Sequence, residues 1–65
     1  MDAIEIGKRL RTLRGDRTIE KVSNDTGLGV SALTMYELGK RIPRDEAKIV
    51  LARYYNVSVD DLFFT

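Results

Sequence analysis

The chain contains no cysteine, no histidine and a single proline among its 65 residues. Lack of cysteine excludes a disulfide framework, and the two absences together exclude a zinc site of the Cys/His kind. A metal held by carboxylates alone stays open, although no calcium-loop spacing is present. The nucleophile and base pairs that need histidine or cysteine are missing. So are a P-loop and a dinucleotide-binding glycine pattern. The acidic pair Asp60 and Asp61 falls at a predicted helix start, where carboxylates serve as caps. No catalysis, cofactor, metal or small-molecule ligand is therefore expected. No apolar run approaches the roughly 20 residues needed to span a bilayer. The opening Met1-Asp2-Ala3-Ile4-Glu5 has no basic stretch followed by an apolar one, so no signal peptide is read there. With 32% charged residues, the expectation is a cytoplasmic protein with no membrane partner.

The length implies one domain, taken as residues 1–65. A chain of this size buries only about 60% of the surface its unfolded form exposes, so few core residues can be spared. Net charge is +1, a weak signal by itself, but its distribution says more. Residues 1–44 carry nine Lys or Arg and six Asp or Glu, whereas residues 45–65 carry two and four. Basic character gathers in the first part of the chain, which suits an acidic partner there. Ordinary scatter over solvated faces gives the same pattern, so charge alone does not decide.

The chain reads as five helices with short joins. Asp2 with Glu5 forms a capping pair for the first, and Ile6, Leu10 and Leu13 make its buried stripe. Gly15 stops it, and Gly15-Asp16 turns the chain. Thr18 caps a second helix that runs to about Thr26 and buries Val22 and Ser23. A third begins near Gly29 or Val30 and ends at Gly39. Pro43 keeps Ile42 extended in the loop that follows. The fourth covers roughly Asp45 to Tyr55, with Asp45 and Glu46 at its positive dipole end and Asn56 as a left-handed terminator. Ser58 with Asp61 opens a last short helix through Leu62 and Phe63. No segment alternates with period two for long enough to argue for a sheet; Val57-Ser58-Val59 is too short. The expected fold class is all-α.

The stretch from Val22 to Glu37 is the most informative. Gly27 marks a turn that needs positive φ. Ser23, four residues earlier, is small where the next helix should cross closely above it. Val22, Leu28 and Leu33 sit where two crossed helices touch. This is the pattern of a helix-turn-helix, about residues 19–38, whose second helix can lie in the DNA major groove. The same unit also serves as plain scaffold in helical bundles.

From about Ile6 to Phe64 the chain resembles the Cro/Xre family of phage-repressor-like DNA-binding domains. The stretches that carry the resemblance are Ile6-Gly7-Lys8-Arg9-Leu10 with Leu13-Arg14, and Thr26-Gly27-Leu28 through Tyr36-Glu37. Gly39-Lys40-Arg41 with Pro43, and Asn56-Val57-Ser58-Val59-Asp60-Asp61-Leu62, complete it. No one stretch is specific, but the combination is. The resemblance implies a five-helix domain that binds operator DNA, usually as a two-fold dimer, and regulates transcription. It implies an Arg14–Glu37 pair linking the first and third helices, and base-facing positions at Val30, Ser31, Thr34 and Met35.

At those four positions the chain departs from the family, where Gln, Arg or Asn often make bidentate base contacts. Val30 and Met35 suit thymine methyls, and Ser31 and Thr34 suit base edges or phosphates, which gives a weaker, A·T-leaning readout. The other reading of Val30 and Met35 is that they cover a neighbouring protein. Ile19 also replaces a polar residue, often Gln, that meets a phosphate in the family. The join between the first two helices is shorter than usual there.

Phosphate contacts are expected from Lys40, Arg41 and Arg44 just beyond the third helix. Arg17, Thr18 and the amides that open the second helix are expected to add another. Phe63 and Phe64 are adjacent, so both cannot face inward; one of them, with Val59 and Ile42, should form an apolar patch that a homodimer covers. Phe64, nearer the end, is the expected exposed member. The leading expectation is a double-stranded DNA-binding regulator, a repressor, acting as a homodimer. The alternative is a helix-turn-helix fold used for protein–protein contact, such as a toxin-neutralising module.

Overall fold

The computed structural model of the protein describes residues 1–64. Thr65, the last residue of the expected domain, lies outside the described residues. The chain is all-α, with no strand among the described residues. Its five helices are α1 (Ala3–Arg14), α2 (Ile19–Thr26), α3 (Val30–Glu37), α4 (Asp45–Tyr55) and α5 (Val59–Phe63).

Local chemistry sets most of the boundaries. The Asp2 carboxylate accepts from the amides of Ile4 and Glu5 at 2.9 and 3.3 Å and starts α1. The Thr18 hydroxyl accepts from the Lys21 amide at 3.0 Å and starts α2. The Ser58 hydroxyl does the same for Asp61 at 3.0 Å and starts α5. Asn56 is left-handed, with φ 58° and ψ 45°, and the Val57 amide reaches back to the Ala52 carbonyl at 3.0 Å. That six-to-one bond closes α4. The third helix ends at Glu37, two residues short of the expected Gly39. Its last turn is finished by the same device, with the Lys40 amide on the Met35 carbonyl at 3.0 Å.

The helix-turn-helix is built from α2, the turn Gly27-Leu28-Gly29, and α3. Gly27 has φ 79° and ψ 2°, a conformation that costs any residue with a Cβ, and its amide bonds the Ser23 carbonyl at 2.8 Å. Side chains hold the turn as well. The Ser23 hydroxyl donates to the Leu28 carbonyl at 2.6 Å. The Thr26 hydroxyl donates to the Val22 carbonyl and accepts from the Leu28 amide. Ser23 thus acts through its hydroxyl as well as its small size.

The core comprises Ile6 and Leu10 of α1, Val22 of α2, Leu33 and Tyr36 of α3, and Ala47, Leu51 and Ala52 of α4, with Leu62 and Phe63 of α5. Leu13, Leu28, Val57 and Val59 pack on it half-buried. α1 lies against α3, and α5 closes against both α1 and α4. One expectation is corrected here. Phe63 is 1% exposed, a core residue, and is not available to a partner. The cause is α5 docking: Leu62 and Phe63 both face the interior because α5 is wedged between α1 and α4. Phe64 just beyond is 57% exposed.

Candidate nucleic-acid interface

The outer face of α3 carries Val30, Ser31, Thr34 and Met35, all exposed. Gly29 supplies no side-chain cap, so the first amides of α3 keep free N–H groups at that end. Thr34 and Ile19, at the start of α2, line one groove of about 330 Å³. The opening of α2 and the outer face of α3 therefore border the same surface.

Two clips hold α3 in place. The Arg14 guanidinium forks onto the Glu37 carboxylate, Nε to Oε2 at 2.8 Å and Nη2 to Oε1 at 3.0 Å. Its remaining nitrogen, Nη1, donates to the Arg17 carbonyl at 2.8 Å. The two side chains are 16% and 12% exposed, so solvent screens the pair only in part. The Glu37 hydrogen bond raises the Arg14 pKa further, against the opposing effect of burial. The second clip is steric. A Cβ on Gly7 of α1 would overlap the carbonyl oxygen of Glu37 and come within 2.8 Å of that of Tyr36. Only glycine lets α3 approach α1 so closely.

The basic side chains differ in how they are paired. Those before α3 all have partners within the chain: Lys8 with Glu5, Arg9 with the Leu62 carbonyl, Arg11 with the Gly15 carbonyl, Arg14 with Glu37, and Lys21 with Asp25. Arg17 donates to the Leu13 carbonyl at 3.1 Å, and its guanidinium lies 5.4 and 5.6 Å from the ring centroids of Tyr54 and Tyr55. The structure thus engages Arg17, expected at a phosphate, in the junction of α1, α2 and α4. Among the described residues, Lys40, Arg41 and Arg44, and Arg53 far from them on α4, have no ion pair or hydrogen-bond partner for their cationic groups, whereas Lys48 pairs with Asp45 at 3.7 Å. Lys40, Arg41 and Arg44 follow α3 within one loop, and Arg41 and Arg44 line one cleft with Tyr36 and Ile42.

Beside Arg17, the Tyr54 hydroxyl donates to Asp25 at 2.7 Å. That bond holds the Asp25 carboxyl below its ordinary value, helped by Lys21, and raises the Tyr54 phenol. Burial raises the Tyr55 phenol. This network ties α2 to α4 behind the turn. Sequence reasoning missed it, as it missed Arg9 on the Leu62 carbonyl. Lys48 was missed too; its ammonium lies 5.2 Å from the Phe64 ring centroid and 5.9 Å from that of Phe63. Of the expected dimer residues, Val59 is half-buried against the core, while Ile42 and Phe64 are exposed. Exposed Ile49 on α4 was overlooked, although it lies off the Ala47–Leu51 stripe and a helical wheel would have shown it.

The geometry is that of a helix-turn-helix domain with an exposed second helix and an unpaired basic loop. The family model described as a helix-turn-helix domain matches residues 5–62, and the chain belongs to that family. No curated protein and no solved structure matches it. Membership makes a DNA-binding regulator the coarse functional class. No helix among the described residues is long and apolar enough to cross a membrane.

Proposed function

We propose that the protein is a sequence-specific regulator of the Cro/Xre, phage-repressor-like type, a repressor that binds a two-fold operator in cytoplasmic DNA as a homodimer. The observation that carries this reading is the contrast between the cations before α3 and those in the loop directly after it. Lys8, Arg9, Arg11, Arg14, Arg17 and Lys21 are held within the chain, whereas Lys40, Arg41 and Arg44 stand unpaired directly after the exposed helix. Glu46 lines the same cleft as Arg41 and Arg44 but forms no ion pair with either, and cations left unpaired beside a groove-sized helix suit a polyanion whose phosphates flank the groove. The opening amides of α2 at Ile19, across the groove from Thr34, with Thr18 just before them, supply a second phosphate position. In this reading Val30, Ser31, Thr34 and Met35 face the bases. Ile42, Val59 and Phe64, with Ile49 of α4, are covered in the dimer.

Random-site selection on duplex DNA tests it, and an enriched inverted repeat is the expected result. Loss of all selection above background would remove DNA binding. A second reading, a protein-interaction or toxin-neutralising module, is favoured by one observation: Val30, Met35 and Leu38 of the outer face are apolar and exposed. Capture of a protein ligand through α3, with no duplex preference, would support it instead.

A further inference from the structure

The hydrogen-bonding state of the outer face of α3 narrows what it can recognise. The Thr34 hydroxyl donates its only hydrogen to the Val30 carbonyl at 2.9 Å. What remains on that oxygen is acceptor capacity. In the major groove it can accept from the amino group of adenine or cytosine, but it cannot donate to guanine O6 or N7. No Arg, Lys, Asn or Gln stands at Val30, Ser31, Thr34 or Met35, so no bidentate contact to a purine is available. Val30 and Met35 are 41% and 38% exposed and present only apolar surface. The one apolar feature of a major-groove base edge is a C5-methyl group.

Resting on the DNA-binding reading above, we propose that this face discriminates by the C5-methyl groups of pyrimidines. Val30 and Met35 are the readers, and Thr34 is the acceptor for a neighbouring amino group. Thymine paired with adenine offers both features across one base pair. A 5-methylcytosine offers both on a single base. The interface therefore senses cytosine methylation wherever a contacted position holds cytosine. Unmodified G·C pairs are disfavoured because they lack the methyl; the donors left for guanine acceptors are the Ser31 hydroxyl and the uncapped amides that open α3, which make single rather than bidentate contacts.

The test uses the unmodified protein and one selected operator synthesised in several forms. Replacing a contacted thymine by deoxyuridine removes one methyl and leaves all base-pair hydrogen bonding intact. Each contacted methyl should then cost about fourfold in affinity, the worth of one buried methylene-sized group. Replacing cytosine by 5-methylcytosine at a contacted position should raise affinity by about the same factor. Val30→Ala and Met35→Ala should each abolish the thymine-to-uracil ratio at one position. Both introduce a strong helix former at an exposed site, so helical content should be kept. Equal affinity for the thymine and uracil operators at every position, with the inverted-repeat preference intact, overturns this proposal alone. Absence of any duplex preference overturns the DNA-binding reading with it.

Discussion

Gly7 of α1 lies against the carbonyl of Glu37 at the end of α3, so closely that a Cβ on Gly7 would overlap that oxygen. The consequence is a sharp dependence of the fold on one hydrogen atom. Glycine in a helix interior costs about 1 kcal/mol relative to alanine, so Gly7→Ala has a local gain. The clash opposes it. Overpacking costs about 1–3 kcal/mol when side chains can yield, and here the neighbours are backbone atoms, which yield less. The clash should win by about 2 kcal/mol, lowering Tm by about 8–16 °C for a domain of this size. Thermal melts by circular dichroism would show it; a variant as stable as the parent would mean that α1 and α3 separate easily.

The Arg14–Glu37 fork is expected to depend on guanidinium geometry rather than on charge alone. Arg14→Lys keeps the charge but cannot hold both carboxylate oxygens and the Arg17 carbonyl together. Loss of one or two charge-assisted bonds at a site shielded from solvent should cost about 1–3 kcal/mol. Urea denaturation at neutral pH would measure it through the midpoint, with an unchanged slope. A midpoint within error of the parent would reduce the pair to an ordinary surface contact.

The Tyr54–Asp25 bond gives a pH signature with a definite sign. The Asp25 pKa is lowered, chiefly by the Tyr54 hydroxyl, so its contribution is complete above the ordinary carboxylate value and vanishes as pH falls through the depressed one. The Tyr54 pKa is raised, chiefly by Asp25, so that contribution is complete below the ordinary phenol value and is lost as pH rises through the raised one. Tyr54→Phe removes both. The difference in Tm between parent and variant should be level between about pH 5 and 9 and should narrow on either side. A difference that is the same at pH 2 and pH 7 would show that the hydroxyl contributes independently of the charge on Asp25.

These three relationships also mark where the sequence was legible. Helix starts were, because Asp2, Thr18 and Ser58 act on amides two or three residues away. The turn was, because Gly27 and Asn56 answer a local demand for positive φ. The all-α class followed from these. Gly7 gave no local signal, since a glycine inside a periodic stripe looks like a weakness until the neighbouring helix is in place. Arg17 was placed at a phosphate from its position beside α2; its neighbours Tyr54 and Tyr55, which lie against the guanidinium, come from far along the chain and gave no local signal. Phe64 was named the exposed member from its place nearer the end, and it is, but the physical cause is the docking of α5, which the sequence does not display. The unpaired state of Lys40, Arg41 and Arg44 is likewise a three-dimensional fact: it depends on where every carboxylate lies.

That unpaired state makes a prediction about salt. Replacing Lys40 and Arg41 together by alanine should weaken binding to all duplexes about equally, because phosphate contacts carry no sequence information. The slope of log affinity against log salt should fall by about one unit per lost contact. Stability should be nearly unchanged, since neither side chain has a partner within the chain to lose. Titrations at several salt concentrations, on operator and on random duplex, would separate the two effects. An unchanged slope would take this loop out of the interface.

The exposed phenylalanine provides the test of assembly. Phe63 and Phe64 differ only by position, yet one is 1% and the other 57% exposed. Phe63→Ser should therefore cost about 3–5 kcal/mol, as for any large core truncation, and leave little folded protein. Phe64→Ser removes an exposed ring and its contact with the Lys48 ammonium, worth about 0.5–1 kcal/mol at such a site. Its helical content should survive. If Phe64 sits in a two-fold interface with Ile42, the variant should sediment as a monomer at concentrations where the parent is a dimer. Operator affinity should then fall steeply, because one half-site alone binds weakly and the two reading helices are no longer held about 34 Å apart. Affinity for a single half-site should stay the same, which separates a lost interface from a damaged reading face. Unchanged mass together with unchanged operator affinity would mean that the dimer, if formed, is built on another surface, and that Phe64 serves only to cover Lys48.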